Sequence, residues 1–199
     1  MKTLQVFIDF KSPAAYLAYQ PTRALAKELG VTVDWQPIRT NQNSIPVKQA
    51  DEDVRARHRR VRAKARRETH LHYAKVQNIP MQFPEPPGCT DLALAVLAEL
   101  GSCDPFVSRA FEAYWRDNMN LNEADVVQSL LEPGALDVRA MKAEHTIERR
   151  LREANQRALD LGVIDAPGYV IEGEVFVGRE HLPWIRELLT DERKQYERS

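Results

Sequence analysis

The first 35 residues place a buried-strand pattern, a helix pattern and a second strand pattern in direct succession. Residues 4–10 are almost all apolar, which is typical of a strand buried on both faces of a sheet. Residues 14–29 have helical spacing between Pro13, which suits a first helical turn, and Gly30, which suits a C-terminal cap. Residues 31–35 alternate between apolar and polar side chains. This order predicts a βαβ unit with a parallel strand pair, and therefore an α/β fold.

The middle of the chain is predicted to be helical. Residues 51–76 are highly charged and compatible with a helix, and residues 83–88 (FPEPPG) predict a proline-rich loop. Residues 137–161 predict one long amphipathic helix that ends at Gly162. Between the loop and this long helix, three further helices are predicted at residues 91–100, 105–117 and 123–131.

Strand patterns return near the C-terminus. Residues 169–171 and 175–177 flank Glu172-Gly173-Glu174, which predicts a β-hairpin. Residues 182–189 predict a last helix before a charged tail. The predicted order is therefore βαβ, a helical insertion, and a closing αββα segment.

Length and composition narrow the class of protein. The 199 residues can form one core, or one core with a helical appendage. The net charge of −1 gives no general argument for a nucleic-acid partner. No secretory signal pattern and no run long enough to span a bilayer are recognised, and the two cysteines are too few for a disulfide framework. We expect a cytoplasmic protein with reduced thiols and no membrane partner.

Two proline turns are the first candidates for a functional site. Ser12 stands where a buried strand ends and a helix begins, a place that favours an anion such as a thiolate or carboxylate. Read alone, Ser12 is as well explained as a helix N-cap. Ala166-Pro167 precedes a strand and could be cis, exposing the backbone of Ala166 to a bound peptide, or could be an ordinary trans turn.

Three segments together carry a family resemblance over essentially the whole chain. FIDFKSPAAYLA, then NIPMQFP, then GVIDAPGYVIEGEVFVGREHL resemble the family of 2-hydroxychromene-2-carboxylate isomerases and kappa-class glutathione transferases, in the DsbA-like branch of the thioredoxin fold. The resemblance implies a thioredoxin-like domain formed by residues 1–40 and 137–199, with residues 41–136 as an inserted helical domain. It also implies glutathione as cofactor, a small-molecule substrate and a homodimer.

The resemblance assigns roles to residues at both turns. Ser12 takes the place of the serine that hydrogen-bonds the glutathione sulfur, so it is the implied catalytic residue. Lys11, Ala166 and Pro167 are implied to bind glutathione beside it, and so are Arg179 and Glu180. The resemblance further implies thiolate addition and elimination. Because the Ser12 turn contains no sulfur, dithiol oxidation from this turn is excluded.

Several residues depart from the family pattern. Ala15 replaces a second serine, and Gly168-Tyr169 follows the second proline where Thr-Phe is usual. His181 stands where an arginine commonly helps to hold the γ-glutamyl group, and Arg179 could substitute for that arginine. These departures leave the fold unaffected and bear on glutathione affinity and on the substrate.

A dense basic run at residues 55–67 and one tryptophan are the candidates for substrate binding. The run predicts either a solvated helix, with a thin apolar stripe of Val54, His58, Val61 and Ala65, or a helix that binds a substrate carboxylate through Arg62 or Arg66. Nucleic-acid binding is not supported, since no aromatic residues are interleaved with the basic ones.

The tryptophans and histidines complete the sequence-based expectations. Trp115 could line the substrate pocket or belong to the core, whereas Trp35 and Trp184 are expected in the core. The histidines lack the spacing of a metal site, so no metal is expected.

Two other functions remain open on the sequence alone. Cys89 precedes a predicted helix and could act as a lone thiol in a DsbA-like oxidoreductase relative without a CxxC motif. The chain could also be a non-catalytic module that binds a thiol or another small ligand.

Overall fold

A four-stranded sheet joins the two ends of the chain. The computed structural model describes residues 2–41, 53–143 and 146–190. The strands β1 (Thr3–Ile8), β2 (Thr32–Pro37), β3 (Gly168–Ile171) and β4 (Glu174–Val177) lie in the order β2-β1-β3-β4. β1 is parallel to β2 and antiparallel to β3, which pairs antiparallel with β4. The predicted βαβ unit and hairpin are both confirmed.

The first βαβ unit is continuous from β1 to β2. Helix α1 (Pro13–Leu29) connects the two strands and ends at Gly30, whose positive φ of 64° closes the C-terminal cap. Val6 of β1 lies opposite Trp35 on one side and Tyr169 on the other. β1 is therefore an interior strand, in agreement with its nearly all-apolar sequence.

The segment between β2 and β3 is helical, as predicted. The proline-rich loop precedes α3 (Asp91–Leu100) and contains a cis Glu85-Pro86 bond that the sequence did not indicate. The predicted single helix over residues 137–161 is wrong, because two helices occupy this range, with residues 144–145 outside the described part. In chain order the inserted helices are α2 (Val54–Val76), α3, α4 (Asp104–Trp115), α5 (Ala124–Ser129), α6 (Val138–Ala143) and α7 (Ile147–Asp160).

The C-terminal end returns to the sheet. After β4, a short 3₁₀ turn (Arg179–His181) leads into α8 (Leu182–Leu189), at the predicted position. The α/β class with inserted helices is confirmed. The division of the chain at residues 40 and 137 stays a prediction.

One hydrophobic core is shared by the sheet and the inserted helices. Phe10, just after β1, contacts Phe106 and Phe111 of α4 edge to face, with ring centroids 5.9 and 5.3 Å apart. Trp115 of α4 stacks on Tyr16 of α1 at 5.8 Å. Contacts of this kind fix the start of α1, because the residues on both sides of its first turn are held by α4.

Helix α2 differs from the other helices in how little it buries. Only Ala74 of its side chains is buried. Val54 and Val61, two members of the thin apolar stripe, are 68% and 52% exposed, so this stripe lies at the surface. The less exposed face follows helical spacing through Ala56, Arg60, Ala63, Arg67, His70 and Ala74. Three alanines, two arginines and a histidine therefore form the face of α2 nearest the rest of the protein.

Two further sequence expectations can be compared with the described part of the chain. Trp35 is in the core, but Trp184 is 58% exposed, so its predicted core position is wrong. Among residues 2–41, 53–143 and 146–190, no helix is both long and apolar enough to cross a membrane.

Candidate active site

Ser12 connects the start of α1 to the loop before β3. It is the N-cap of α1, and its Oγ accepts a hydrogen bond from the Ala15 N–H at 3.3 Å. The same hydroxyl donates to the carbonyl oxygen of Ala166 at 2.9 Å. Ser12 is fully buried. The Ser12 side chain therefore caps α1 and also binds the second proline turn.

The second turn is a cis Ala166-Pro167 bond. The Ala166 N–H donates to Oδ1 of Asp165 at 2.8 Å, and the Pro167 carbonyl accepts from the Gly178 N–H at 2.9 Å. The Ala166 backbone is less available to a bound peptide than the sequence-based expectation of an exposed cis turn suggests. The Ala166 N–H is hydrogen-bonded to an exposed carboxylate. The Ala166 carbonyl accepts one hydrogen bond from Ser12, which leaves its second lone pair for another donor.

The first turn of α1 offers a backbone donor beside these two turns. Pro13 has no N–H, and the Ala15 N–H is used by Ser12. The Ala14 N–H has no acceptor among the described residues, and Ala14 lines a cleft. Helix N-terminal N–H groups of this kind stabilise negative charge.

Lys11 points to a buried carboxylate. Its Nζ lies 3.7 Å from Oδ2 of Asp9, and only 17% of its side chain is exposed. Lys11 does not line the cleft, so the structure does not bring its ammonium into the predicted glutathione site.

Asp9 holds three segments together beneath the Ser12 turn. Its Oδ1 accepts from the Lys11 N–H at 3.1 Å and from the Thr90 hydroxyl at 3.0 Å. Its Oδ2 accepts from the Thr40 N–H at 2.8 Å and from the Thr40 hydroxyl at 2.9 Å. Burial raises the pKa of Asp9, and the Lys11 charge and these donors oppose that shift.

A cleft of about 840 Å³ opens between α1, α2 and the two loops next to the sheet. One wall is the apolar face of α1, at Ala14, Leu17 and Pro21. The opposite wall is α2, at Thr69, His70 and Tyr73. A cleft of this size accommodates a tripeptide-sized ligand.

Charged side chains line the end of the cleft away from the Ser12 turn. The guanidinium of Arg179 lies over the Tyr73 ring, 4.1 Å from its centroid, and its N–H edges donate to no residue that the structure describes. The carboxylates of Asp165 and Glu180 line the same cleft. The Glu180 carboxylate folds against the backbone of Gly178, in the space that a Cβ at this position would occupy. The cleft therefore presents both signs of charge.

Apart from Lys11 and Trp115, the predicted site residues separate into two groups. Ala166, Pro167, Arg179 and Glu180 surround the cleft, with Ser12 buried directly beneath Ala166. Arg62 and Arg66 are exposed on α2, and neither makes an ion pair with a described residue.

Trp115 belongs to the core and not to the cleft. It is 1% exposed, and its Nε1 donates to the Phe10 carbonyl at 2.9 Å. Its ring is packed against Tyr16, Phe83 and Tyr114. Trp115 thus supports the end of β1 rather than contacting a ligand.

Sequence reasoning missed the α2 wall of the cleft. Thr69, His70 and Tyr73 were not among the predicted site residues, since only the basic residues of this helix were considered for ligand binding. The spacing of Ala56, Ala63 and Ala74 marks the face that lies nearest the protein.

Comparisons with known proteins agree with this architecture. Residues 3–190 match the family described as the DSBA-like thioredoxin domain. The chain is 24% identical over 198 residues to the 2-hydroxychromene-2-carboxylate isomerase of Sphingobium xenophagum, covering 96% of this chain and 99% of that protein.

Two solved structures show the same fold. A 2-hydroxychromene-2-carboxylate isomerase has a TM-score of 0.73 at 20% identity, with 98% of each chain covered. The cytosolic disulfide reductase DsbM from Pseudomonas aeruginosa, solved with GSH, has a TM-score of 0.60 at 16% identity, with 98% of this chain and 99% of that chain covered. The sheet order, the inserted helices and the match over residues 3–190 lead to one conclusion: the chain belongs to the DSBA-like thioredoxin domain family.

Proposed function

We propose that this protein is a glutathione-dependent enzyme that isomerises a small aromatic carboxylate, in the manner of a 2-hydroxychromene-2-carboxylate isomerase. The observation that carries the proposal is the Ser12–Ala166 hydrogen bond at the head of the cleft. A serine hydroxyl and a free helix N–H stand where a dithiol relative would need cysteine, so the turn is suited to hold a sulfur atom and not to be oxidised.

Two relatives support the substrate and the cofactor. The Sphingobium xenophagum relative is named for 2-hydroxychromene-2-carboxylate, and its length matches that of this chain almost completely. The structural relative DsbM was solved with GSH. A kappa-type glutathione transferase, which would use the same cofactor on another electrophile, is the variant of the proposal that the sequence resemblance also implies.

The residues at the head of the cleft fit the sulfur end of glutathione. The Ala14 N–H and the start of the α1 dipole favour a thiolate over a thiol. The Ser12 hydroxyl would turn from the Ala166 carbonyl to the sulfur, exchanging one hydrogen bond for another. The Ala166 backbone would pair with the cysteinyl backbone once the Asp165 carboxylate releases its N–H.

The charged end of the cleft fits the γ-glutamyl group. Arg179, held on Tyr73, presents N–H edges to a carboxylate, and Glu180 or Asp165 can accept from an ammonium group. Arg179 would then substitute for the arginine that the family has where this chain has His181.

Bound glutathione would supply a thiolate that adds to a carbon–carbon double bond and leaves again after rotation about the resulting single bond. The protein would hold the sulfur at Ser12 and Ala14 and exclude water along the apolar wall of α1. Arg62 and Arg66 would attract the carboxylate of the substrate.

Calorimetric titration with glutathione tests the proposal. We expect binding by the wild-type protein and at least tenfold weaker binding by Ser12→Ala, since a charge-assisted hydrogen bond contributes roughly 1.5–3 kcal/mol. Ser129→Ala, which removes an exposed hydroxyl far along the chain, is the control. Absence of binding by the wild-type protein at millimolar glutathione would rule the proposal out.

The redox alternative has less support from the described residues. Cys89 is an exposed free thiol, but it does not line the cleft. Reactivity mapping with a thiol reagent at neutral pH distinguishes the redox function from the glutathione-dependent isomerase, since only the redox function requires Cys89 to react fast. A homodimer and a cytoplasmic location remain part of the proposal.

A further inference from the structure

His70 and Arg179 both line the cleft, and Arg66 lies one helical turn before His70 on α2. Arg66 precedes His70 by four residues on α2, so the two side chains lie on the same side of the helix, one turn apart. The positive charges of Arg66 and Arg179 both act on the His70 ring.

None of the three has an acidic partner in the described part of the chain. His70 makes no hydrogen bond, ion pair or ring contact there, so both ring nitrogens are available. Arg66 makes no ion pair with a described residue. The guanidinium of Arg179 lies over the face of Tyr73 and makes no ion pair with a described residue.

The carboxylates of Asp165 and Glu180 line the same cleft, but neither is ion-paired to Arg66 or Arg179 in the described part of the chain. Asp165 is bonded to the Ala166 N–H, and Glu180 lies against Gly178. On α2 itself, Glu68 pairs with Lys64. A group of N–H donors that are not ion-paired to a described residue is suited to an anion from outside the chain.

His70 is set apart from the other described histidines by its surroundings. Burial, and then the charges of Arg179 and Arg66, lower the pKa of His70 below its ordinary value. The ring is therefore neutral at pH 7. A carboxylate placed against Arg66 and Arg179 would offset the positive charge of the two arginines and so favour the imidazolium form of His70.

We propose that Arg66, His70 and Arg179 form a carboxylate-binding site in which His70 takes up a proton as the anion binds. The identity of the natural ligand rests on the proposed function, since the carboxylate belongs either to the γ-glutamyl group of glutathione or to the aromatic substrate. Both sources share the chemistry that the three side chains recognise. The proton remains on the ring, so no bond other than N–H forms and no oxidation occurs.

Calorimetry with two probes tests the site. S-methylglutathione carries the γ-glutamyl carboxylate without an ionisable thiol, and salicylate is a small aromatic carboxylate. Each probe is titrated at pH 7 in two buffers with different heats of ionisation, which counts the protons taken up. We expect uptake of a fraction of a proton with at least one probe, and affinity that rises as the pH falls, by at most about tenfold per pH unit.

Matched variants assign the proton to His70. For the probe that shows uptake, His70→Gln is expected to abolish it and to weaken binding about fivefold or more at pH 6 but less than about twofold at pH 8. His58→Gln, on an exposed turn of the same helix, should change neither value. A merely structural role for His70 would weaken binding equally at both pH values.

The arginines have their own controls. Arg66→Gln is expected to weaken binding about tenfold at both pH values, whereas Arg59→Gln, another exposed arginine of α2, should change it less than about twofold. Binding of both probes without proton uptake, uptake that persists in His70→Gln, or no binding of either probe would overturn the site. Uptake with salicylate and no binding of glutathione would retain the site and overturn the proposed function alone.

Discussion

The first turn of α1 and the long helix α2 face each other across the cleft but are held in opposite ways. Ser12 and Asp9 are fully buried, and each is fixed by hydrogen bonds to segments far along the chain. In α2, nine lysines or arginines accompany one glutamate, and only Ala74 is buried. One wall of the cleft is therefore built into the core, and the other lies on the surface.

The difference separates two tasks. In the proposed function, the α1 side would fix the position of the glutathione sulfur, which requires buried, hydrogen-bonded groups. The α2 side supplies positive charge and is fastened at few points, such as Arg67 over the Phe83 ring at 4.8 Å and Tyr73 under Arg179. Substitutions of the buried polar residues on the α1 side should accordingly affect folding as well as ligand binding, whereas those of exposed residues on the α2 side should affect mainly ligand binding.

Asp9→Asn is expected to have the largest effect on stability. Four donors and the Lys11 ammonium face the carboxylate, and an amide would turn its own N–H₂ against some of them. We expect a loss of at least about 3 kcal/mol in the free energy of unfolding, measured in urea. Asp125→Asn, which breaks an exposed pair with Arg139, should cost less than about 1 kcal/mol. Equal losses in the two variants would contradict the buried network.

Ser12→Ala should have the next largest effect. The substitution removes the partners of the Ala166 carbonyl and the Ala15 N–H inside the protein. We expect a loss of about 1–3 kcal/mol in the free energy of unfolding, again from urea titration. A stability equal to that of the wild-type protein would show that the hydrogen bond between the two turns does not stabilise the fold.

These buried turns are the part of the molecule that the sequence predicts best. The apolar run of β1, the Ser12-Pro13 break and the hairpin near residue 173 are short-range signals, and each is found where predicted. The hydrogen bond between Ser12 and Ala166 joins residues 154 positions apart. No local pattern contains such a pairing, so only the family resemblance pointed to it.

Tyr73→Leu is expected to act mainly on binding. It removes the ring on which Arg179 lies, an interaction of about 0.5–1 kcal/mol at an exposed site, so affinity for S-methylglutathione should fall about two- to fivefold. Tyr73→Phe keeps the ring and serves as the control. Equal affinities of the Leu and Phe variants, measured by calorimetry, would show that Tyr73 does not orient Arg179.

A smaller effect is expected for His70 on α2, in the pH dependence of the free energy of unfolding. Because the pKa of His70 is lowered in the folded protein, the unfolded chain binds more protons below about pH 6.5. Wild-type stability should therefore fall more steeply than that of His70→Gln between pH 7 and the lowered pKa. Parallel melting temperatures across this range would contradict the assigned environment of the ring.

Val61→Gln is expected to have the smallest effect. The side chain is 52% exposed on α2, so the free energy of unfolding should change by less than about 0.5 kcal/mol. Ala74→Gln, at the one buried position of the same helix, should cost about 1–3 kcal/mol by overpacking. A large loss at Val61 would show that this face of α2 is covered by a partner.

The α2 wall is the part of the cleft that the sequence analysis did not identify, for a physical reason. A helix is usually oriented by its apolar side chains, but Val54 and Val61 face solvent here and alanines face the protein. Trp184 misled in the same way, since a large apolar side chain does not have to be buried. His70 and Tyr73 therefore could not be assigned to the cleft before the packing of α2 was known.

In the proposed function, the Ser12 turn holds the sulfur of glutathione as a thiolate. The most direct test is the ultraviolet absorbance of the thiolate in the complex with glutathione, followed as a function of pH. We predict that the thiol pKa of bound glutathione lies well below the ordinary value of about 8.5 and returns toward it in Ser12→Ala. Glutathione bound to the wild-type protein with an unshifted thiol pKa would contradict the account.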